Sequence, residues 1–306
     1  MIRRRRQKRE IYTGDQDPGQ AGKPDVHKPG KAGIRSYYER HLPHQVPEGF
    51  PIFLTWNLKG SLPSRVLEEL ELEQTRLQHE PKRIDETDSE RKVRHGKILF
   101  AKRDQSLDAA CGDLYVSLSR LTGQPIGDSG TAGKLVRLES LTYEGRPMWL
   151  ADPRAAGEVV KSILWGVPER YELFAYAVLG NHVHVLLKPL VILEVITQGI
   201  KGFSAFQINR LQQAKGRTVW QDESYDHWTR DERELFRIID YIENNPVAAR
   251  LCRQPDEWVW SSAFCRKKAG WTVGEPFPAA SKDLVLKLLD NALGVDASKG
   301  QSAWKG

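Results

Sequence analysis

His182 and His184 stand two apart in the run NHVHVLL (181–187), whose aliphatic and β-branched residues read as a strand. Side chains of a strand alternate between its faces. Both imidazoles therefore project from one face and can reach a single cation, while Val183 points into the core behind them. A His-x-His pair alone is more often a strand edge with two part-exposed histidines, so the pattern needs companions. They come later in the chain. Tyr241 and Asn245 lie four apart in DYIENNPVAARL (240–251), on one face of a helix. A helix laid across the strand would bring a phenol nucleophile and an amide oxygen to the imidazoles together. Imidazole and carbonyl donors suit a hard divalent cation, Mg²⁺ or Mn²⁺, able to polarise a phosphodiester oxygen. Taken singly, Tyr241 is equally an amphipathic residue beside an apolar stripe, and Asn245 a helix end ahead of Pro246. Tyr225 is the rival nucleophile, but no potential ligand follows it four residues on, whereas Tyr241 sits on a helix that fixes its direction.

The elements that must position these groups are legible in order. The aromatic run 50–58 reads as a strand closed by Gly60, Ser61 and Pro63, and a helix follows with Val66, Leu67, Leu70 and Leu77 on a loose apolar face. The charged stretch 80–96 reads as surface helix, and 113–145, with five glycines, as a loop-rich excursion. Asp152 caps a helix opened by Pro153. Strands at 171–179 and 182–187 meet at Gly180-Asn181, a pair suited to a hairpin turn. A helix over 193–213, a short strand at 218–221 and a helix from Asp231 complete the set, the last with Glu234 in a capping-box-like start and Pro246 ending or kinking it. The result is an α+β fold, a ferredoxin-like βαββαβ sandwich with an additional C-terminal catalytic helix and an inserted helical and loop segment at about 64–145.

The 46 Lys and Arg exceed the 40 Asp and Glu, giving a formal charge of +6 that favours polyanionic partners. Residues 1–45 are rich in Gly, Pro and charge, carry Arg3 to Arg6, Lys8 and Arg9, and read as a disordered basic tail. The domain is expected over 46–265 and a C-terminal extension over 266–306. Three cysteines, Cys111, Cys252 and Cys265, lack the spacing of a disulfide framework or zinc ribbon and fit a reducing cytoplasm. No run is apolar enough to span a bilayer.

LGNHVHVLLKP (179–189) and DYIENNPVAARL (240–251) resemble the two signatures of the REP-associated tyrosine transposases, members of the HUH superfamily of single-strand transposases and relaxases. FLTWNLKGSLP (53–63), MWLADPRAA (148–156), IKGFSAFQINRL (200–211), WQDESYDHWTRDE (220–232) and EWVWSSAF (257–264) extend the likeness in family order. It implies that His182 and His184 bind the metal with Asn245 as third ligand, and that Tyr241 attacks single-stranded DNA. The products would be a 5′-phosphotyrosine and a free 3′-OH, on substrates with palindromic hairpins. It also implies a bacterial, nucleoid-associated protein, monomeric or homodimeric. Lys201, Ser204 and Arg210 become candidate contacts to the DNA backbone, while Trp220, Trp228, Trp258 and Trp260 are expected to pack rather than stack on bases. The family's usual Met-Pro is here Leu179-Gly180, and the 113–145 segment is additional. Two other readings use the same residues: a relative that binds DNA without cleaving it, and a metallohydrolase of small esters, for which Tyr241 would be dispensable.

Overall fold

The computed structural model describes residues 34–39, 43–47, 49–122, 142–222 and 224–292. Its central sheet has four antiparallel strands, β1 (Ile52–Asn57), β2 (Tyr171–Val178), β3 (His182–Pro189) and β4 (Tyr225–Trp228). They lie in the spatial order β2-β3-β1-β4. That is the ferredoxin-like arrangement expected, with the first crossover helix (Pro153–Leu164) leading into β2 and the second (Leu193–Leu211) joining β3 to β4.

Register fixes which residues share a face. Asn57, Thr55 and Phe53 of β1 stand opposite His182, His184 and Leu186 of β3, whereas Trp56 stands opposite Val183. Because faces alternate, the histidines and Thr55 lie on one side of the sheet and Trp56 and Val183 on the other. The two crossover helices pack on each other. Trp220, which stacks edge-on against Trp56, bonds into the second of them, so this pair covers the Val183 face. The opposite face is covered by the tyrosine helix (Glu232–Ala248), against β2 and β3, and by a long helix, Asp88–Thr122. A sheet enclosed on both sides has no solvent face, which is why β1 and β3 are buried almost throughout.

The helix ends follow the side chains expected to cap them. Asp152 accepts from the backbone N–H of Arg154 ahead of Pro153, and Asp231 accepts from that of Glu234. Pro246 does not stop the tyrosine helix, which runs two residues further to Ala248. Trp220, Trp258 and Trp260 are buried and Trp228 half-buried, in keeping with packing roles.

Several expectations are corrected. The strand placed at 218–221 is instead Tyr225–Trp228, and Trp220 makes one isolated bridge to Leu58. An edge strand of mixed composition carries a weaker pattern than the apolar Val219-Trp220 pair beside it. Residues 113–122, read as loop, continue the long helix, and Gly112 lies inside that helix where a Cβ would collide with the Ala249 carbonyl oxygen. The glycines at 123, 127, 130 and 133 lie outside the described residues. Within the expected tail, Ile34–Glu39 pairs with Pro43–Pro47 as two antiparallel strands, and most of the rest of 1–45 lies outside the described residues. The boundary expected at 265/266 falls inside a helix, Ser262–Ala269, whose Arg266 is buried against the tyrosine helix.

Candidate metal and nucleophile site

Both histidines are fully buried, and each is oriented by a partner on its far nitrogen. Asn181 directs its amide N–H at the carbonyl of Leu107, so its Oδ1 accepts, at 2.6 Å, from His182 Nδ1. That bond places a proton on Nδ1 and turns Nε2 inward. Thr55 Oγ1 lies 2.7 Å from His184 Nδ1 and can hold that ring in the same sense.

Two groups that the sequence reading did not name face those nitrogens. Asp104 and Asp108, one helical turn apart on the long helix, place Oδ1 3.5 Å from His184 Nε2 and 3.3 Å from His182 Nε2. The ligating atoms of Asp104, His182 and His184 all lie within 4.8 Å of one another. Tyr241 reaches the same spot, its hydroxyl donating to Asp104 Oδ2 and its ring centroid 5.6 Å from that of His184. Asn245 donates its amide N–H to Asp108 Oδ2 at 3.2 Å. The structure thus brings together all four of the residues singled out for chemistry, and adds two carboxylates.

Inward-facing polar atoms of five side chains have no hydrogen-bond partner: His182 Nε2, His184 Nε2, Asp104 Oδ1, Asp108 Oδ1 and Asn245 Oδ1. Buried polar groups are nearly always satisfied, and a knot of converging acceptors is the pattern that a bound cation resolves. The donor set, imidazole nitrogen with carboxylate and amide oxygen, fits a divalent metal.

The electrostatics are those of a site short of positive charge. Burial and the neighbouring Asp108 push Asp104 up to about 6, against the pull of His182. Burial opposes a charged His182, but the Asp108 carboxylate outweighs it and raises the imidazole to about 10. Burial, then its charged neighbour His182, hold His184 well below the usual imidazole range. Burial and the adjacent Asp104 lift the Tyr241 phenol above its ordinary value. Carboxylates alone thus oppose the phenolate, and a cation among them would reverse that sign.

A cavity of about 720 Å³ opens between the long helix and the tyrosine helix, lined among others by Phe100, Asp104, Asp108, Tyr241, Asn245 and Arg250. Tyr241 is 37% exposed at this opening. Tyr225 instead stacks its ring on Phe100 at 4.1 Å, and burial raises its phenol too.

No family model matches the chain, and no curated protein does. Among solved structures it is similar to the REP-associated tyrosine transposase bound to a REP hairpin. The likeness is distant. Identity is 15% and the TM-score 0.34, over 78% of this chain and 90% of that one.

The expected backbone contacts do not gather at this site. Ser204 is fully buried, donates to the carbonyl of Ile200 at 2.6 Å and accepts from Trp220 Nε1, so it is closed to a nucleic acid. Lys201 donates to the carbonyl of Gln221 at 2.8 Å, on the crossover-helix side of the sheet. Arg210 is exposed on the same helix. No helix among the described residues is long and apolar enough to cross a membrane.

The two helices that bear the site touch at Gly112, where a Cβ would lie 2.6 Å from the Ala249 carbonyl oxygen. Gly112→Ala must part them, at an expected cost of about 1–3 kcal/mol. Urea unfolding should show that loss.

Proposed function

We propose that this chain is a metal-dependent tyrosine transposase or endonuclease of single-stranded DNA, with Tyr241 as nucleophile and the metal held by His182 and His184 together with oxygen ligands from the same face. The observation that carries the reading is the shared carboxylate. Asp104 accepts from the Tyr241 hydroxyl through one oxygen and faces His184 Nε2 through the other, so nucleophile and metal donors meet at one point.

In this reading the scissile phosphate enters the cavity beside Tyr241, where Arg250 is a cation placed to meet a neighbouring phosphate. Tyr241 loses its proton, its phenolic oxygen attacks phosphorus, and the P–O3′ bond breaks. The leaving 3′ oxygen takes up a proton as a free hydroxyl, and the 5′ phosphate stays on the tyrosine. A divalent cation, Mg²⁺ or Mn²⁺, would polarise the phosphate and offset the charge developing on it. Reversal of the step on another 3′-OH rejoins a strand without external energy. The preference for hairpin-bearing single strands rests on the motif resemblance, and the formal +6 charge agrees with a polyanionic partner. Arg210 is proposed as an outlying backbone contact.

The test is to incubate the protein with Mn²⁺ and single-stranded hairpin DNA carrying a label 3′ of the cleavage point. A labelled protein band that survives SDS, and that disappears when a chelator is added, is the expected result. DNA that is bound and never attached would favour the binding-only reading. Free product with no attachment would favour metallohydrolysis.

A further inference from the structure

We infer that this chain pairs with a second copy of itself through the outer face of the crossover helix Leu193–Leu211, on the side of the sheet away from the histidines. The inference is independent of the proposed chemistry.

That helix is apolar on two faces, and only one of them has a cover. Leu193, Ile196, Ile200 and Ile208 are buried against the core. A second seam, Ile192, Val195, Gly199, Gly202 and Phe206, recurs at alternating steps of three and four residues, the spacing with which one helix lies along another. Its bulky members face solvent, Phe206 being 64% exposed, and Leu190 and Phe203 flank them. Five of the fifteen exposed large hydrophobics among the described residues fall in this one stretch, and an apolar patch of that kind marks an interaction site.

The glycines identify the cover. A Cβ at Gly199 or Gly202 would meet nothing within 4 Å, so no packing inside the molecule calls for either, although glycine weakens a helix interior. Small residues at the middle of a seam let two helix backbones approach closely. An antiparallel copy, related by a twofold axis between residues 200 and 201, sets Gly199 against the partner's Gly202 and Val195 against the partner's Phe206. Gap then meets gap at the centre, a small apolar side chain meets a large one at each end, and the helix dipoles oppose. One sequence supplies both halves of the fit, as an isologous interface requires. Both Tyr241 sites stay open, because the tyrosine helix covers the opposite face of the sheet.

Such a seam buries on the order of 1,000 Å² in total, the lower end for a specific pair, so the dissociation constant is expected near ~10 µM. The experiment is sedimentation velocity on the full chain across that concentration, for the wild type, Phe206→Glu and Gly202→Leu, with a melting curve for each. Expected is a wild-type shift from monomer to dimer as concentration rises, which either substitution weakens by more than ~30-fold. Gly202→Leu separates the dimer from the fold. With open space at its Cβ it should leave the melting temperature unchanged or raise it, leucine being the better helix former, while blocking the close approach of the two helices. A dimer that survives either substitution would overturn the inference. So would a wild type that stays monomeric throughout, and loss of hairpin-DNA binding by Phe206→Glu in that case would give the face to nucleic acid.

Discussion

Tyr241→Phe is expected to abolish the covalent DNA adduct, lowering its rate by at least ~10⁴-fold, the scale seen when a nucleophile is removed. Only the hydroxyl is lost, and its single bond runs to Asp104. The ring keeps its edge contacts with Phe53 and His184, so the stability change should stay within about 1–2 kcal/mol. Mn²⁺ binding should survive, because the phenol is not among the donors proposed to hold the ion. Tyr225→Phe should retain the adduct, since that ring serves Phe100 through stacking. Quantifying SDS-stable adduct against bound Mn²⁺ for both variants separates loss of chemistry from loss of the site.

Arg266→Ala is expected to unfold the protein more readily than any substitution at the site itself. The guanidinium is 4% exposed, pairs with Glu243 at 3.0 Å, and donates to the carbonyls of Phe174 and Thr272. Glu243 also accepts from Ser262, so this pair ties the tyrosine helix, the first strand of the hairpin and the following helix together. Removing one partner leaves a buried carboxylate and free carbonyls, at about 3–5 kcal/mol. The melting temperature should fall on the order of 10 °C. Because Glu243 lies two residues beyond Tyr241, adduct formation should fall as well. Arg266→Lys keeps the charge but not the fork and should fall between. A melting curve unchanged in Arg266→Ala would remove this network from the account.

Residues whose spacing sets which face they share were readable in advance. His182 and His184 share a strand face, Tyr241 and Asn245 a helix face, and the structure confirms both alternations by bringing them to one point. Caps at Asp152 and Asp231 were equally local in origin, whereas the fourth strand of the sheet was misplaced. Asp104 and Asp108 were not found, although a signal existed. Phe100, Leu107, Cys111 and Leu114 recur at helical spacing, and acids set on that stripe mark a place where charge meets a core. The glycines that follow drew the reading towards loop, whereas Gly112 serves a close helix contact. Ser204 and Lys201 lie apart from the histidines for another reason. Position on a helix does not say which side of the sheet that helix covers, and theirs covers the side away from His182.

The most direct measurement is to digest the SDS-stable adduct and locate the phosphate by mass spectrometry. The account predicts a phosphotyrosine at Tyr241, bearing the DNA segment that lies 3′ of the cleaved bond. Attachment at Tyr225, or cleavage of the strand with no phosphorylated tyrosine at any stage, would contradict it.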